Sequence, residues 1–152
     1  MSDDWIRVAP TNPSYVPSEA DAEAALAVIA DLMPRSQEIV VESSPEVAFI
    51  DAGVNVDSMR CPSCRGELSH EWWSNAVAES HDRSGFRERT ASMPCCGAVV
   101  DLNDIDYGEW PVAFARWWVD CMNPDVGRLT DVQVARLAAA LRHEVTIVYQ
   151  HL

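Results

Sequence analysis

The amino-acid sequence predicts an α+β fold in which two strand–helix–strand units enclose a cysteine-bearing insert. Apolar residues recur at helical spacing near both ends of the chain, and runs of alternating apolar residues accompany them. Four of the five cysteines lie in the middle of the chain, where five arginines balance five acidic residues. These observations indicate an acidic host domain, residues 1–57 and 98–152, and an insert, residues 58–97.

The first unit begins with a strand and a helix. Residues Trp5 to Ala9 form a short strand candidate that is followed by a proline-rich turn. Ser18 is a good N-cap, because its side chain can accept a hydrogen bond from the first helical turn. The apolar stripe that follows ends at Pro34, which cannot continue a helix. The sequence therefore predicts a helix over about residues 18–33.

The first unit continues with a predicted hairpin. Residues 38–42 and 46–51 are two β-rich runs, and Ser43-Ser44-Pro45 lies between them. Serine and proline are common in tight turns, because proline presets one backbone angle and serine bonds its own backbone. We therefore expect two short strands that a turn connects.

The second unit contains a strand, a helix and a strand. The spacing of apolar residues in Val112–Met122 fits either a strand or a helix, but its aromatic and β-branched residues favour a strand. Thr130 and Gln133 form a capping box that predicts a second helix, and alternation from Val145 onwards predicts a last strand. The order is the ferredoxin-like β-α-β-β-α-β pattern, with the insert between its second and third strands. Both helices should then cover one face of a four-stranded antiparallel sheet.

The insert has the cysteine pattern of a metal site. Cys61-Pro62-Ser63-Cys64 places two thiols on one tight turn, and Pro94-Cys95-Cys96-Gly97 supplies two more. Four thiolates in two clusters are the ligand set of a tetrahedral, structural zinc site. We therefore predict a zinc ribbon whose ligands are Cys61, Cys64, Cys95 and Cys96.

The second cysteine pair leaves an alternative ligand set open. Neighbouring side chains diverge, so Cys95 and Cys96 need an unusual turn before both sulfurs can bind one ion. Gly97 could supply the backbone freedom for that turn. The alternative is a site of three cysteines and one histidine, with His70 or His81 as the fourth ligand.

A short helix is predicted after Ser69, between the two cysteine pairs, with Trp72 or Trp73 on its apolar side. One interpretation is that this helix covers the zinc loop and docks it on the host. The other is that the two tryptophans are exposed and bind a partner, as aromatic residues do at interaction hot spots. The first interpretation is favoured.

Three further features fit structural roles better than functional ones. The acidic loop that contains Asp101, Asn103, Asp104 and Asp106 could hold a hard cation, but it lacks the spacing of an EF-hand, so a surface loop is favoured. Cys121 lies in an apolar run and is expected in the core. The isolated residues His143 and His151 are expected to be structural.

The charge of the chain restricts its partners. The sequence has 24 acidic residues and 11 basic ones, all of them arginine, for a net charge of −13. Such a balance disfavours binding to nucleic acid or to anionic lipid and favours a basic protein partner. A membrane span and a signal peptide are not expected, and the odd cysteine count fits a reducing compartment, so we expect a cytoplasmic location.

The sequence carries none of the common catalytic motifs, such as HExxH, GxSxG or a P-loop. We therefore expect a non-enzymatic, zinc-stabilised interaction module, such as an immunity or inhibitor protein for a basic toxin. The alternative is a metal-dependent enzyme with an open zinc site formed by three cysteines. A zinc ribbon that binds nucleic acid is the least favoured hypothesis, because of the charge.

The pattern CPSC…MPCCGAVVDLNDIDYGEWPVAFARWWVDCMNP resembles an uncharacterised bacterial family of small zinc-ribbon proteins. That family has CPxCG…PCCG and an LNDLDY-x-WP-x-GFARF-like stretch, and some members are labelled sugar ABC transporter ATPases. The resemblance covers roughly residues 48–125, and it implies zinc binding at the four cysteines but no activity. The chain departs from the pattern at Arg65, which replaces a glycine, and at Val112-Ala113.

Overall fold

The computed structural model describes residues 3–53 and 55–151. Within these ranges the chain forms a four-stranded antiparallel sheet, a two-stranded sheet and three α-helices. None of the helices in these ranges is long and apolar enough to cross a lipid bilayer. The elements are β1 (Asp4–Pro10), α1 (Glu19–Leu32), β2 (Glu38–Ile50), α2 (His70–Ser80), β3 (Thr90–Ser92), β4 (Val99–Asp101), β5 (Ala113–Met122), α3 (Asp131–Leu141) and β6 (Val145–His151).

The large sheet has the strand order β2-β5-β1-β6, and each neighbouring pair is antiparallel. One of its two central strands is β5, in which Ala115, Trp117, Val119 and Cys121 are buried and the residues between them are partly exposed. This period of two is that of a strand with two different faces. The strand interpretation of the segment that ends at Met122 is therefore confirmed.

Helices α1 and α3 pack against one face of the large sheet. Both begin where the sequence predicts, because Ser18 accepts a hydrogen bond from the Asp21 N–H, and Thr130 forms a complete capping box with Gln133. Their buried residues share one apolar cluster with one face of β1 and β5. The cluster contains Ile29, Leu137, Leu141, Ile6, Val8, Trp117, Val119 and Cys121.

The predicted hairpin around Ser43-Ser44-Pro45 is wrong, because β2 runs without a break from Glu38 to Ile50. Both halves of β2 pair with β5 rather than with each other. Ser43 lies opposite Trp117 and Ala48 lies opposite Ala115, so the residues between them form a bulge. A bulge tolerates a proline, which has no N–H to donate to the ladder.

The cysteine-bearing segment packs on the opposite face of the large sheet. Its buried residues, including Met59, Trp73 and Met93, form one cluster with Phe114 of β5 and Val148 of β6. The sheet is therefore covered by α1 and α3 on one face and partly by the α2 region on the other. The division into a host and an insert at residues 58–97 stays a prediction.

A buried hydrogen-bond chain fixes α2 in this position. The Trp73 indole N–H donates to the Tyr107 hydroxyl at 3.1 Å, and that hydroxyl donates to the Leu102 carbonyl at 2.6 Å. Burial raises the pKa of Tyr107, so its hydroxyl stays protonated and available as a donor. Trp73 is 5% exposed, which supports the docking interpretation of this helix, whereas Trp72 is partly exposed.

The substitution Tyr107→Phe should therefore destabilise the protein. It leaves the Trp73 N–H and the Leu102 carbonyl buried without their partner, which costs about 1–3 kcal/mol. Urea unfolding at pH 7 measures the change. The matched control is Tyr15→Phe at a partly exposed ring, where we expect a change below about 0.5 kcal/mol. Equal losses from the two substitutions would contradict the role of Tyr107.

Candidate metal centre

The first cysteine pair lies on a tight turn, Cys61–Gly66, which we call the first knuckle. The Cys61 N–H donates to the Gly66 carbonyl, and the Arg65 N–H donates to the Cys61 carbonyl, both at 2.9 Å. The Gly66 N–H points at the sulfur of Cys64, 3.3 Å away. Arg65 has a φ of 65°, a left-handed conformation that favours glycine.

The second cysteine pair lies on a turn of the same kind, Met93–Ala98, which we call the second knuckle. It connects β3 to β4. The Met93 N–H donates to the Ala98 carbonyl and the Gly97 N–H donates to the Met93 carbonyl, both at 2.8 Å. Gly97 has a φ of 75°, which is close to the conformation of Arg65 in the first knuckle. The backbone freedom expected of Gly97 is thus used.

The matching hydrogen bonds show how adjacent cysteines fit a knuckle. Met93 occupies the position that Cys61 has in the first knuckle, and it is buried. Cys96 corresponds to Cys64. The remaining thiol belongs to Cys95, at the position before Cys96, and its sulfur also lies in the cluster.

The two knuckles bring four sulfur atoms into one cluster. The Sγ atoms of Cys61, Cys64, Cys95 and Cys96 all lie within 4.8 Å of one another. The Cys61–Cys96 sulfurs are 3.8 Å apart and the Cys64–Cys95 sulfurs 3.2 Å. In a tetrahedron with metal–sulfur bonds of about 2.3 Å, the sulfurs are about 3.8 Å apart. The cluster is therefore compatible with a four-coordinate metal ion.

The electrostatics of the cluster favour a cation. The backbone N–H of Cys64 is the main cause that lowers the pKa of Cys61 to about 7, because it stabilises the thiolate. The contact with the Cys64 sulfur raises the pKa of Cys95 to about 12. Cys61 therefore forms a thiolate readily, and the contact with the Cys64 sulfur opposes the formation of a second thiolate at Cys95. A bound dication removes this opposition, because it attracts every thiolate at once.

The alternative histidine ligands lie outside the cluster. The ring of His70 packs edge-on against Trp73 with centroids 5.4 Å apart, and the ring of His81 lies 5.0 Å from Phe86. In the described parts of the chain, the four cysteines are the one group of three or more acidic, histidine or cysteine side chains close enough together to hold a metal ion.

The acidic loop after β4 supports the first knuckle and does not form a cation site of its own within the described residues. The Arg60 N–H and carbonyl pair with those of Asp106, and the Asp106 carboxylate accepts from the Arg65 side chain at 2.6 Å. A hydrogen bond from the Gly108 N–H, helped by Arg65, lowers the pKa of Asp106. The Asp101 carboxylate binds Arg89. The surface-loop interpretation of this segment is consistent with these contacts.

The remaining singled-out residues have structural surroundings. Cys121 is fully buried in the apolar cluster under α1 and α3, and burial raises its pKa to about 12. The ring of His143 stacks on Tyr15 with centroids 4.1 Å apart. His151 pairs with the Asp4 carboxylate at the end of the sheet.

The cluster lies at the surface of the molecule. Cys61 is fully buried, whereas Cys64, Cys95 and Cys96 are exposed. An ion held by all four sulfurs would have a complete tetrahedral shell, with no position left for a water ligand. Such a centre is chemically suited to hold two chain segments together.

The chain matches no protein-family model, no curated protein and no solved structure. The resemblance to the bacterial CPxCG…PCCG family therefore remains an expectation, and function has to be inferred from the site and the charge.

The steric role of Gly66, whose missing side chain lets the second knuckle approach the first, was not predicted from the sequence. A side chain here would place its Cβ 3.1 Å from the Cys95 Cβ and 3.2 Å from the Cys64 sulfur. Its φ is not left-handed, so the need for glycine is purely steric. Comparing CPSCRG with MPCCGA in the sequence would have revealed the second knuckle, but not this contact.

The substitution Gly66→Ala should therefore weaken metal binding by roughly tenfold, because it forces the two knuckles apart. Competition for Zn²⁺ with a chromophoric chelator measures the affinity. The control is Gly127→Ala, because a Cβ at Gly127 meets no atom within 4 Å and the backbone is not left-handed. If both variants bound Zn²⁺ as the parent protein does, the knuckle contact would not control the site.

Proposed function

We propose that this protein is a non-enzymatic interaction module that a structural zinc ion stabilises and that binds a basic protein partner through its acidic surface. An immunity or inhibitor protein for a basic toxin is the kind of function that fits this description. The observation that carries the proposal is the cluster of four cysteine sulfurs in a chain with a net charge of −13.

The donor set supports zinc as the metal. Four thiolates suit Zn²⁺ or an iron site, and two knuckles of this kind are typical of structural zinc. Zinc has no redox chemistry, so its contribution here would be to hold the knuckles together. Apparent binding energies at such sites are on the order of 10 kcal/mol, which makes metal binding part of folding.

The strand order supports a ferredoxin-like host with the zinc ribbon as an insert. Counted without β3 and β4, the strands of the large sheet follow the order second, third, first, fourth. Helices α1 and α3 each connect two parallel strands that another strand separates, as in the split β-α-β pattern. The cysteine segment enters between β2 and β5, the second and third strands of that pattern.

The acidic charge supports a basic partner. Residues 1–57 contain 11 acidic residues and only two arginines, so the negative charge is concentrated in the first part of the chain. Opposite charges on two proteins speed their encounter and suppress wrong partners. Arg60 and Arg65, beside and within the first knuckle, lie within salt-bridge distance of Glu67 and Asp106, which leaves them less available to a nucleic acid.

A second candidate function is a metal-dependent enzyme with an open zinc site held by only three of the cysteines. The exposure of Cys64, Cys95 and Cys96 favours it, because a substrate could reach an ion held there. Cys96 distinguishes the closed site from an open site formed by Cys61, Cys64 and Cys95, since the closed site needs Cys96 and that open site does not.

The substitution Cys96→Ser should abolish stoichiometric zinc binding and lower the thermal midpoint of unfolding to that of the chelator-treated parent protein. The reason is that three thiolates hold the ion less tightly than four, and the knuckles separate without it. Zinc per chain, measured by atomic emission, is the direct readout. Cys121→Ala is the control, because this cysteine lies outside the cluster and should keep one zinc per chain. Retention of a full equivalent of zinc by Cys96→Ser would favour the open-site enzyme.

The partner hypothesis predicts capture of a basic protein from an extract of the source cells. The tagged, zinc-loaded protein should retain such a partner at low salt and release more of it as salt rises, because screening weakens the attraction between exposed charges. Mass spectrometry identifies what is retained. Recovery of no protein at either low or moderate salt would contradict the proposed function.

A further inference from the structure

The outer edge of β2 over residues 38–43, which we call the β2 edge, offers backbone groups that are free to pair. In an antiparallel pair, every second residue directs its N–H and carbonyl away from the neighbouring strand. β2 is the last strand of the sheet, so these groups point outwards. Among the described residues, no other segment makes a backbone hydrogen bond to this edge between Glu38 and Ser43.

Other exposed edges of the large sheet are partly covered. The second half of β2 is bridged by the loop after α2, where the Phe86 N–H donates to the Val47 carbonyl at 2.9 Å. At the opposite edge of the sheet, Gly53 forms a backbone bridge with His151 of β6. The side-chain amide of Asn55 donates to the Tyr149 carbonyl of the same strand at 2.7 Å. The β2 edge thus lacks the bridging contacts that these other edges have in the described parts of the chain.

The side chains of the β2 edge combine apolar contact with negative charge. Val41 is 43% exposed, although it points to the same face as the buried Val119 opposite it. On the other face, Glu38 and Glu42 lie on either side of Val40 in the pleat. An added strand would therefore meet a valine between two carboxylates on one face and a second valine on the other.

These charges disfavour a second copy of the chain as the occupant. Two β2 edges that pair antiparallel around Val40 would place Glu38 of one copy opposite Glu42 of the other. Like charges directly opposite each other across two strands are destabilising. A strand with basic residues two positions on either side of an apolar one has the complementary pattern.

We propose that the β2 edge binds an extended, arginine- or lysine-bearing segment of a partner protein as a fifth strand of the sheet. Backbone hydrogen bonds would supply affinity, and the paired carboxylates would select the basic pattern, as in other cases of strand addition. This proposal rests on the proposed function, because it names the surface and the binding mode for the basic partner.

A synthetic peptide tests the edge without knowledge of the partner. The probe is an acetylated and amidated peptide with the core Arg-Thr-Val-Thr-Arg, titrated into the zinc-loaded protein at low salt. It should bind, and the amides of residues 38–43 should become protected from hydrogen exchange. The control peptide has the same side chains but is N-methylated throughout the core, so it keeps its charge and loses its backbone donors. Equal binding of both peptides, or no binding of the first, would overturn the proposal.

Charge variants test the selection by carboxylates. Glu38→Gln combined with Glu42→Gln should weaken peptide binding by roughly three- to tenfold, because two exposed ion pairs are lost. The matched control combines Glu23→Gln with Glu79→Gln, which removes the same charge from exposed positions on α1 and α2. An equal loss in both double variants would show that only the net charge matters and would contradict a site at the edge.

The same variants separate this proposal from the proposed function. If the parent protein and the Glu38→Gln/Glu42→Gln variant capture the same basic partner equally well from extract, a partner exists but the β2 edge is not its site. If neither captures a partner, the proposed function itself fails. Dimerisation of the parent protein that protects the same amides, measured by sedimentation together with hydrogen exchange, would identify a second copy as the occupant and would also overturn the proposal.

Discussion

The arrangement of the cysteine-bearing segment depends on four sulfur atoms that lie close together although they repel one another as thiolates. Thiolates repel one another, and the contact with the Cys64 sulfur raises the pKa of Cys95, whereas the Cys64 backbone N–H lowers the pKa of Cys61. Two knuckles with matching backbone hydrogen bonds bring them within 4.8 Å. In our proposal a zinc ion supplies the missing attraction. The helix between the knuckles, α2, is then fixed at both ends and can bury Trp73 against the sheet.

The knuckles also connect the cysteine cluster to the rest of the fold. Met93 replaces the first cysteine of the second knuckle and enters the apolar cluster that contains Phe114 of the large sheet. Arg65, in a left-handed conformation, uses its side chain to bind Asp106 in the loop that also carries the buried Tyr107. Loss of the metal is therefore expected to loosen the face of the sheet on which α2 packs, while α1 and α3 on the other face remain packed.

Local signals in the sequence predicted most elements, and the errors arose where tertiary contacts decide. Capping residues Ser18 and Thr130 fixed the helix starts, because a cap acts within one turn. The segment around Pro45 has the composition of a turn, yet β5 pairs with both sides of it and makes it a bulge. The four cysteines of the cluster were predictable from their clustering, whereas the steric need for Gly66 depends on the approach of Cys95 from another knuckle.

We propose that all four cysteines bind one zinc ion and close its shell. X-ray absorption at the zinc K-edge of the purified, zinc-loaded protein tests this proposal, because the fine structure counts the atoms bound to the metal and distinguishes sulfur from lighter ligands. We expect four sulfur neighbours at about 2.3 Å. Three sulfurs with one nitrogen or oxygen at about 2.0–2.1 Å would contradict the four-cysteine site.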